Sequence, residues 1–441
     1  MTGRWSAVNW RASAREFYRR PSRCYRCQAV FSGKALYSIS LRMLERDINH
    51  LTHPGHDSER LARRLKLTLV ACLAVLSIAY LGKGFYFGIF KDGADVFRRW
   101  TEERFVLGQL QDPRLAAMFA RRGVVYPPWS YFPGIFLFWL PWPQVRAWYA
   151  LINLACLISM IGFITWYARE QSKLDRLLIV LSVTAIGALC TNLGVGNYGL
   201  IMIALLAGAY RADEAGRPTL SGLLLGVAML KPQIAAPFLL VALLRGRFRA
   251  LATAAIYLVA ATVAIWIISG IDPLLMLKQS VQMAGMFAQT TDGLLTVVLD
   301  AGVPFRLAAP LTALLCIAIF GPILWRYRDR SPMLLFAIAA IMSRLWTYNL
   351  NTSNLILVFL LLALWRLAIE TRDLRATALF IAVAASLWVP ASLSNHHVVQ
   401  LAEHLTWLAG IIGLLILDRS GPVSDELAIP SPIAKASASS R

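Results

Sequence analysis

The stretch VAMLKPQIAAPFLL, residues 227–240, sets Lys231 between two apolar runs. LSGLLLGVAML precedes it and IAAPFLLVALL comes after Gln233. A lysine flanked this way in a membrane-embedded chain costs roughly 2.5–3.5 kcal/mol at a helix centre unless something compensates its charge. The reading of the chain therefore turns on two points: whether these runs cross a membrane, and which negative group Lys231 meets.

Composition answers the first. Of 441 residues 58% are hydrophobic, with 14 Trp and 20 Phe, which excludes a disordered chain and argues against an ordinary soluble domain. Lys and Arg number 44 against 24 Asp and Glu, a net charge of +20. That excess lies in short clusters between long apolar runs, the pattern of a polytopic membrane protein with a basic cytoplasmic face and not of a nucleic-acid binder. Cys72, Cys156, Cys190 and Cys316 lie within apolar runs and read as small core residues. No disulfide framework and no internal repeat is visible.

Residues 1–64 read as a basic cytoplasmic arm. RPSRCYRCQ holds Cys24 and Cys27, with His50, His53 and His56 downstream. The second pair is too loosely spaced for a zinc site, so no metal is expected. Met43 is an alternative start, and no cleavable signal peptide is expected because the first apolar run begins only near Leu65. Residues 65–420 form the membrane domain and 421–441 a polar tail.

Apolar runs near 66–85, 146–167, 177–191, 198–210, 219–231, 233–244, 250–269, 307–325, 332–346, 353–367, 374–390 and 400–417 read as helical spans. The expected fold is an all-α transmembrane bundle of about 11–13 spans, some broken or tilted, with juxtamembrane helices in the first outer loop. PPWSYFPGIFLFWLPWP, 127–143, is too proline-punctuated for a span and reads as a helix at the interface. Arginine-rich connections (SERLARRLK, RADEAGR, RGRFR, RYRDR, ETRDLR) then fall on alternate loops. The positive-inside rule puts them and both termini in the cytoplasm of a multi-pass inner (plasma) membrane protein. Arg98, Arg99 and Arg104 break the rule locally, as a long loop tolerates.

The other set of loops gathers the unusual polar residues. Lys231 and Arg344, cations at span ends, suit a phosphate or pyrophosphate. Asp92 and Asp95 follow the first span, and a carboxylate near such a cation is the minimum for acid–base transfer chemistry. Tyr126, Trp129, Tyr131, Trp346 and Tyr348 suit sugar faces or a lipid groove. His396 and His397 have no partner at metal spacing and read as interface residues.

Five segments in order give a family resemblance. They are GADVFRRW (93–100) followed by VLGQLQDP, VYPPWSYFPG (125–134), GVGNYGLIMIALL (194–206), the segment around LKPQ (223–251), and RLWTYNLNTSN (344–354). Over about 65–420 the chain resembles the GT-C superfamily glycosyltransferases that use polyprenyl-phosphate sugars, specifically family GT87, also called DUF2029. Asn349 stands where the family often has His, and Asn354 where it often has Asp, which bears on the sugar contacts. The resemblance implies transfer of a hexose such as mannose, with inversion, at the outer (periplasmic) face. The donor is a polyprenyl-phosphate sugar and the acceptor a glycolipid or polysaccharide. Lys231, helped by Arg344, would hold the donor phosphate and Asp95, ahead of Asp92, would act as base. Gln233, Tyr126, Asn197, Trp346, Tyr348 and Asn349 would complete the substrate site. No cofactor or nucleic-acid partner is expected beyond the lipid-linked donor, the acceptor and membrane lipids, and no metal-ligand residue is picked out. A transporter or flippase for a phosphorylated lipid or sugar is the alternative. Repeat symmetry and a midplane site would mark it, and the polar residues instead gather on one face. The enzyme reading expects Asp95, Lys231 and Arg344 to line one cavity.

Overall fold

The computed structural model describes residues 56–91, 93–288, 293–348, 350–394 and 396–418. Asp92, Asn349, Cys24, Cys27, His50, His53 and the tail 421–441 lie outside the described residues. The chain divides into Met1–Thr68 and Leu69–Arg441. The described part of the first unit is the opening turns of a helix already running at His56, inside the stretch read as the arm. All later elements belong to the second unit.

Among the described residues the elements are helical. In chain order they are α1 His56–Phe90, α2 Ala94–Val106, α3 Pro113–Arg122, α4 Ile135–Phe138, α5 Trp142–Tyr167, α6 Lys173–Thr184, α7 Gly187–Val195, α8 Gly199–Glu214 and α9 Pro218–Ala228. Then come α10 Pro232–Leu244, α11 Phe248–Ser269, α12 Pro273–Ala288, α13 Leu294–Asp300, α14 Phe305–Arg326, α15 Pro332–Leu345, α16 Val358–Thr371, α17 Leu374–Leu387 and α18 His397–Leu417. A 3₁₀ segment, Asn351–Leu357, leads into α16.

Among the described residues six stretches are long and apolar enough to cross a membrane, seven if α6 and α7, bent by 51°, form one broken span. α9, α10, α15 and α17 are apolar but shorter. The expected span near 177–191 is thus interrupted at Ala185–Ile186. Proline sets several of these boundaries. Pro218, Pro232, Pro273 and Pro332 each open a helix, where the missing N–H costs nothing.

Burial confirms a membrane bundle. α15 and α16 run through the centre, with Met333–Arg344 and Val358–Trp365 buried almost without interruption. Such helices are apolar all round because other helices cover them. The outer helices invert the usual pattern of a soluble protein: Leu151 and Ile158 on α5, Ile256 and Ile267 on α11, Leu314 on α14 and Ile416 on α18 are exposed. Large apolar side chains exposed on several helices are at home in lipid, not water.

Two expected loops are structured differently. Residues 127–143 are not a single interface helix. They form two 3₁₀ turns, Pro128–Ser130 and Phe132–Gly134, then the four-residue α4. Prolines at 127, 128, 133 and 141 remove the donors and clash with the preceding turn, so no longer helix can propagate. The segment 270–306 carries α12 and α13. Juxtamembrane helices α2 and α3 do occupy the first long connection.

The bundle has two chemically distinct ends. α8 runs from Gly199, two residues after Asn197, to Glu214, about 22 Å at the helical rise. At its far end Asp213 pairs with Arg245 at 2.8 Å and Arg247 at 2.9 Å, joining two of the arginine-rich connections. At its near end lie Asp95 and Lys231.

Candidate active site

Lys231 is where the chain breaks between α9 and α10. Pro232 bars its predecessor from the helical region, and Lys231 adopts φ −124°, ψ 82°. The break delivers the side chain into the interior, 5% exposed. Its Nζ donates to Asn197 Oδ1 at 2.5 Å.

Asn197 follows Gly196, which ends α7 in the left-handed region at φ 72°. A side chain there would be strained, and a Cβ would also come within 2.0 Å of Val96 Cγ2 on α2. Gly196 therefore lets α2 lie against the α7–α8 turn. The Asn197 Oδ1 also accepts from the Gly199 N–H at 3.1 Å, and its Nδ2 donates to Asp95 Oδ2 at 2.7 Å. With a cation on its oxygen and a carboxylate on its nitrogen, the amide has one orientation only.

Asp95 lies in the first turn of α2, after Gly93 in the left-handed region. The helix N-terminus favours negative charge there. The side chain is half-buried, and Oδ1 has no hydrogen bond among the described residues. Lys231 likewise makes one side-chain hydrogen bond among the described residues, so two of its three N–H groups remain for a ligand. A base with an open oxygen, held by an amide to a buried ammonium with open donors, can accept a proton beside a stabilised anion.

Other expected residues divide. Gln233 lies in the first turn of α10; its carbonyl accepts from the Trp346 indole at 2.7 Å and its amide meets the Tyr348 hydroxyl at 3.4 Å. These three form a second wall at the same end, where Ser343 also bonds the Ile234 carbonyl at 2.8 Å. Tyr126 lies face-on to the Arg99 guanidinium, 4.1 Å away. Burial pushes the Tyr126 hydroxyl well above the usual phenol range, and Asp95 is among the charges acting on it. It stays a neutral hydroxyl and not a base.

Arg344 stands apart from Lys231. It is 2% exposed, donates to the Leu350 carbonyl at 3.2 Å, faces the Trp407 ring at 5.6 Å and acts on the Glu403 carboxyl. None of these three is a partner of Asp95, Asn197 or Lys231. Asn197 thus joins Asp95 to Lys231, while Arg344 meets Leu350, Trp407 and Glu403.

One cluster escaped sequence reasoning. Arg99, Glu102 and Glu103 on α2 are 3%, 1% and 1% exposed. Arg99 packs over Tyr126, Tyr131 and Tyr198, and its Nη2 donates to the Ser130 carbonyl at 2.5 Å. The signal was present: 95, 99, 102 and 103 share one face of a helix.

A polytopic helix bundle with a half-buried acid, a buried amide and a buried ammonium in one hydrogen-bonded line defines a membrane protein with a polar site set among apolar helices. The model of glycosyltransferase family 87 matches residues 125–347, a little over half of the chain. The chain belongs to glycosyltransferase family 87 and is a membrane glycosyltransferase. The match contains Tyr126, Asn197, Lys231, Gln233, Arg344 and Trp346 but begins after Asp95, whose place in the site comes from geometry. No curated protein and no solved structure matches the chain.

Proposed function

We propose that this glycosyltransferase moves a hexose, such as mannose, from a polyprenyl-phosphate donor to a hydroxyl of a lipid or polysaccharide acceptor, with inversion. The observation that carries it is the hydrogen-bonded line Asp95–Asn197–Lys231. Lys231 binds the donor phosphate with its two open donors. The acceptor hydroxyl gives its proton to Asp95 as its oxygen forms a bond to the anomeric carbon. The bond from that carbon to the phosphate oxygen breaks on the opposite face, and its electron pair stays on the phosphate. Lys231 opposes the charge growing there, which is the term most valuable in the transition state. The base and the cation serve opposite faces of one sugar carbon, so a rigid link between them has a mechanistic use.

The arginine pairs at the far end of α8 support an orientation with that end cytoplasmic. The site, and the donor phosphate, then lie at the outer face of the inner membrane. Trp346 and Tyr348 supply a wall suited to sugar faces. A transporter reading would need no base beside the cation, and family membership favours transfer.

The test is incubation of purified protein with a panel of radiolabelled polyprenyl-phosphate sugars and total lipid extract. Labelled glycolipid formed from such a donor, and not from a nucleotide sugar, is the expected result. Transfer from a nucleotide sugar instead would overturn the donor assignment.

A further inference from the structure

Two carbonyls just before Lys231 are gripped from outside their own helix. The break at Lys231 strands the carbonyls that follow α9, groups that normally need an outside donor. The Trp129 indole donates to the Met229 carbonyl at 2.8 Å, and the Ser130 hydroxyl to the Leu230 carbonyl at 3.0 Å. Residues 125–131 thus hold the segment that aims Lys231.

That loop is in turn held by α2. Glu102 Oε1 accepts from the Val125 N–H at 2.5 Å and from the Tyr131 hydroxyl. The Tyr131 hydroxyl accepts from the Tyr126 N–H at 3.4 Å. Arg99 adds its bond to the Ser130 carbonyl. Pro127 and Pro128 have no N–H and fix their own φ, so these few contacts set the loop.

The contacts close a ring. α2 carries Asp95 at its start and Glu102 two turns later. From Glu102 the path runs through Tyr131 and Ser130 to Leu230, then to Lys231, and through Asn197 back to Asp95. We infer that Glu102 is a positioning residue for the transfer reaction: it latches the 125–131 loop and through it fixes Lys231 relative to Asp95. Glu102 touches neither of them. The inference rests on the proposed roles of Asp95 and Lys231, but the latch itself is independent of them.

Both donors converge on one oxygen, and this gives a sharp test. In Glu102→Gln the single amide oxygen can accept both bonds, so latch and rate should be kept. Glu102→Ala loses them. Tyr131→Phe is a milder second variant that keeps the ring over Arg99. The full chain in nanodiscs is followed by amide exchange and by steady-state transfer. In Glu102→Ala, exchange at Val125 and at Met229–Lys231 should rise about tenfold, as when ordinary hydrogen bonds are lost from a local unit. Its kcat should fall about 10²-fold with donor KM nearly unchanged, because misplacement acts on the reacting geometry. Tyr131→Phe should fall between Ala and wild type in both. Unchanged exchange at Met229–Lys231 in Glu102→Ala and Tyr131→Phe overturns the latch, and so does a Gln variant as slow as Ala. If wild type does not use polyprenyl-phosphate sugars the proposed reaction fails, while the exchange data still decide the latch.

Discussion

Lys231 reaches Asp95 through a single amide: its Nζ donates to Asn197 Oδ1 at 2.5 Å, and Asn197 Nδ2 donates to Asp95 Oδ2 at 2.7 Å. Asn197→Ala removes both bonds and leaves the ammonium buried without its acceptor. Thermal unfolding should show a loss of about 2–3 kcal/mol, the scale for an unsatisfied buried charged donor. Asn197→Asp should separate stability from activity. The new carboxylate pairs with Lys231, so the fold is kept, but it repels Asp95 and cannot donate to it. Near wild-type unfolding with turnover lowered at least ~10²-fold is expected. A fully active Asn197→Asp enzyme would remove the bridge from the mechanism.

The two ends of the bridge should fail differently. Asp95→Asn keeps the size of the side chain but removes the base, so donor binding stays nearly unchanged while turnover falls ~10²–10⁴-fold. Lys231→Met removes the charge facing the phosphate and should weaken donor binding and slow turnover together. Lys231→Arg should rescue only in part, because a planar fork does not replace a compact ammonium. Asp92→Asn should be milder than Asp95→Asn. Single-turnover kinetics with a donor-binding assay separate these outcomes, and the reverse order of the two Asp variants would move the base to Asp92.

Gly196 should tolerate no side chain. Its φ of 72° already disfavours one, by about 1–2 kcal/mol. A Cβ would also strike Val96, one residue from Asp95. Gly196→Ala should therefore push α2 from the α7–α8 turn and lower both unfolding temperature and kcat. Gly196→Ala combined with Val96→Ala should recover part of the loss, leaving the backbone strain. No recovery in the double variant would show that the contact with α2 is not what the glycine protects.

The sequence made the bundle legible because lipid leaves few options: long apolar runs must be helices, and prolines open them. It made Lys231 legible because a lysine amid Leu, Val and Ala is conspicuous. The tertiary partners were not legible. Asn197 was expected at the site, but nothing local says that one amide would join Asp95 to Lys231 across 102 and 34 residues of chain. Arg99 read as a tolerated exception to the positive-inside rule, whereas it is buried among three tyrosines. Arg344 read as a second phosphate cation because a cation at a span end looks the same whichever neighbour takes it. Here Arg344, in the last turn of α15, meets the Leu350 carbonyl and the Trp407 ring. The 127–143 run shows its prolines plainly, but not that Glu102 and two stranded carbonyls would define its path.

The orientation of the site has its own test. Asn197 is buried and would resist a thiol reagent on either side, so exposed positions must report. Gln111, between α2 and α3, and Ala301, after α13, are exposed in the connections of the site end. Arg169, 61% exposed, and Arg247, 43% exposed, mark the arginine-rich end. Single cysteines at these four positions, in a background without native cysteines, are treated with a membrane-impermeant maleimide in intact cells. If the arginine-rich end is cytoplasmic, as the charge bias argues, the first two label from outside. Arg169→Cys and Arg247→Cys then label only after permeabilisation. The reverse pattern would put Asp95 and Lys231 at the cytoplasmic face. A donor phosphate displayed at the outer face could not then reach Lys231, and the acceptor would have to be glycosylated before export.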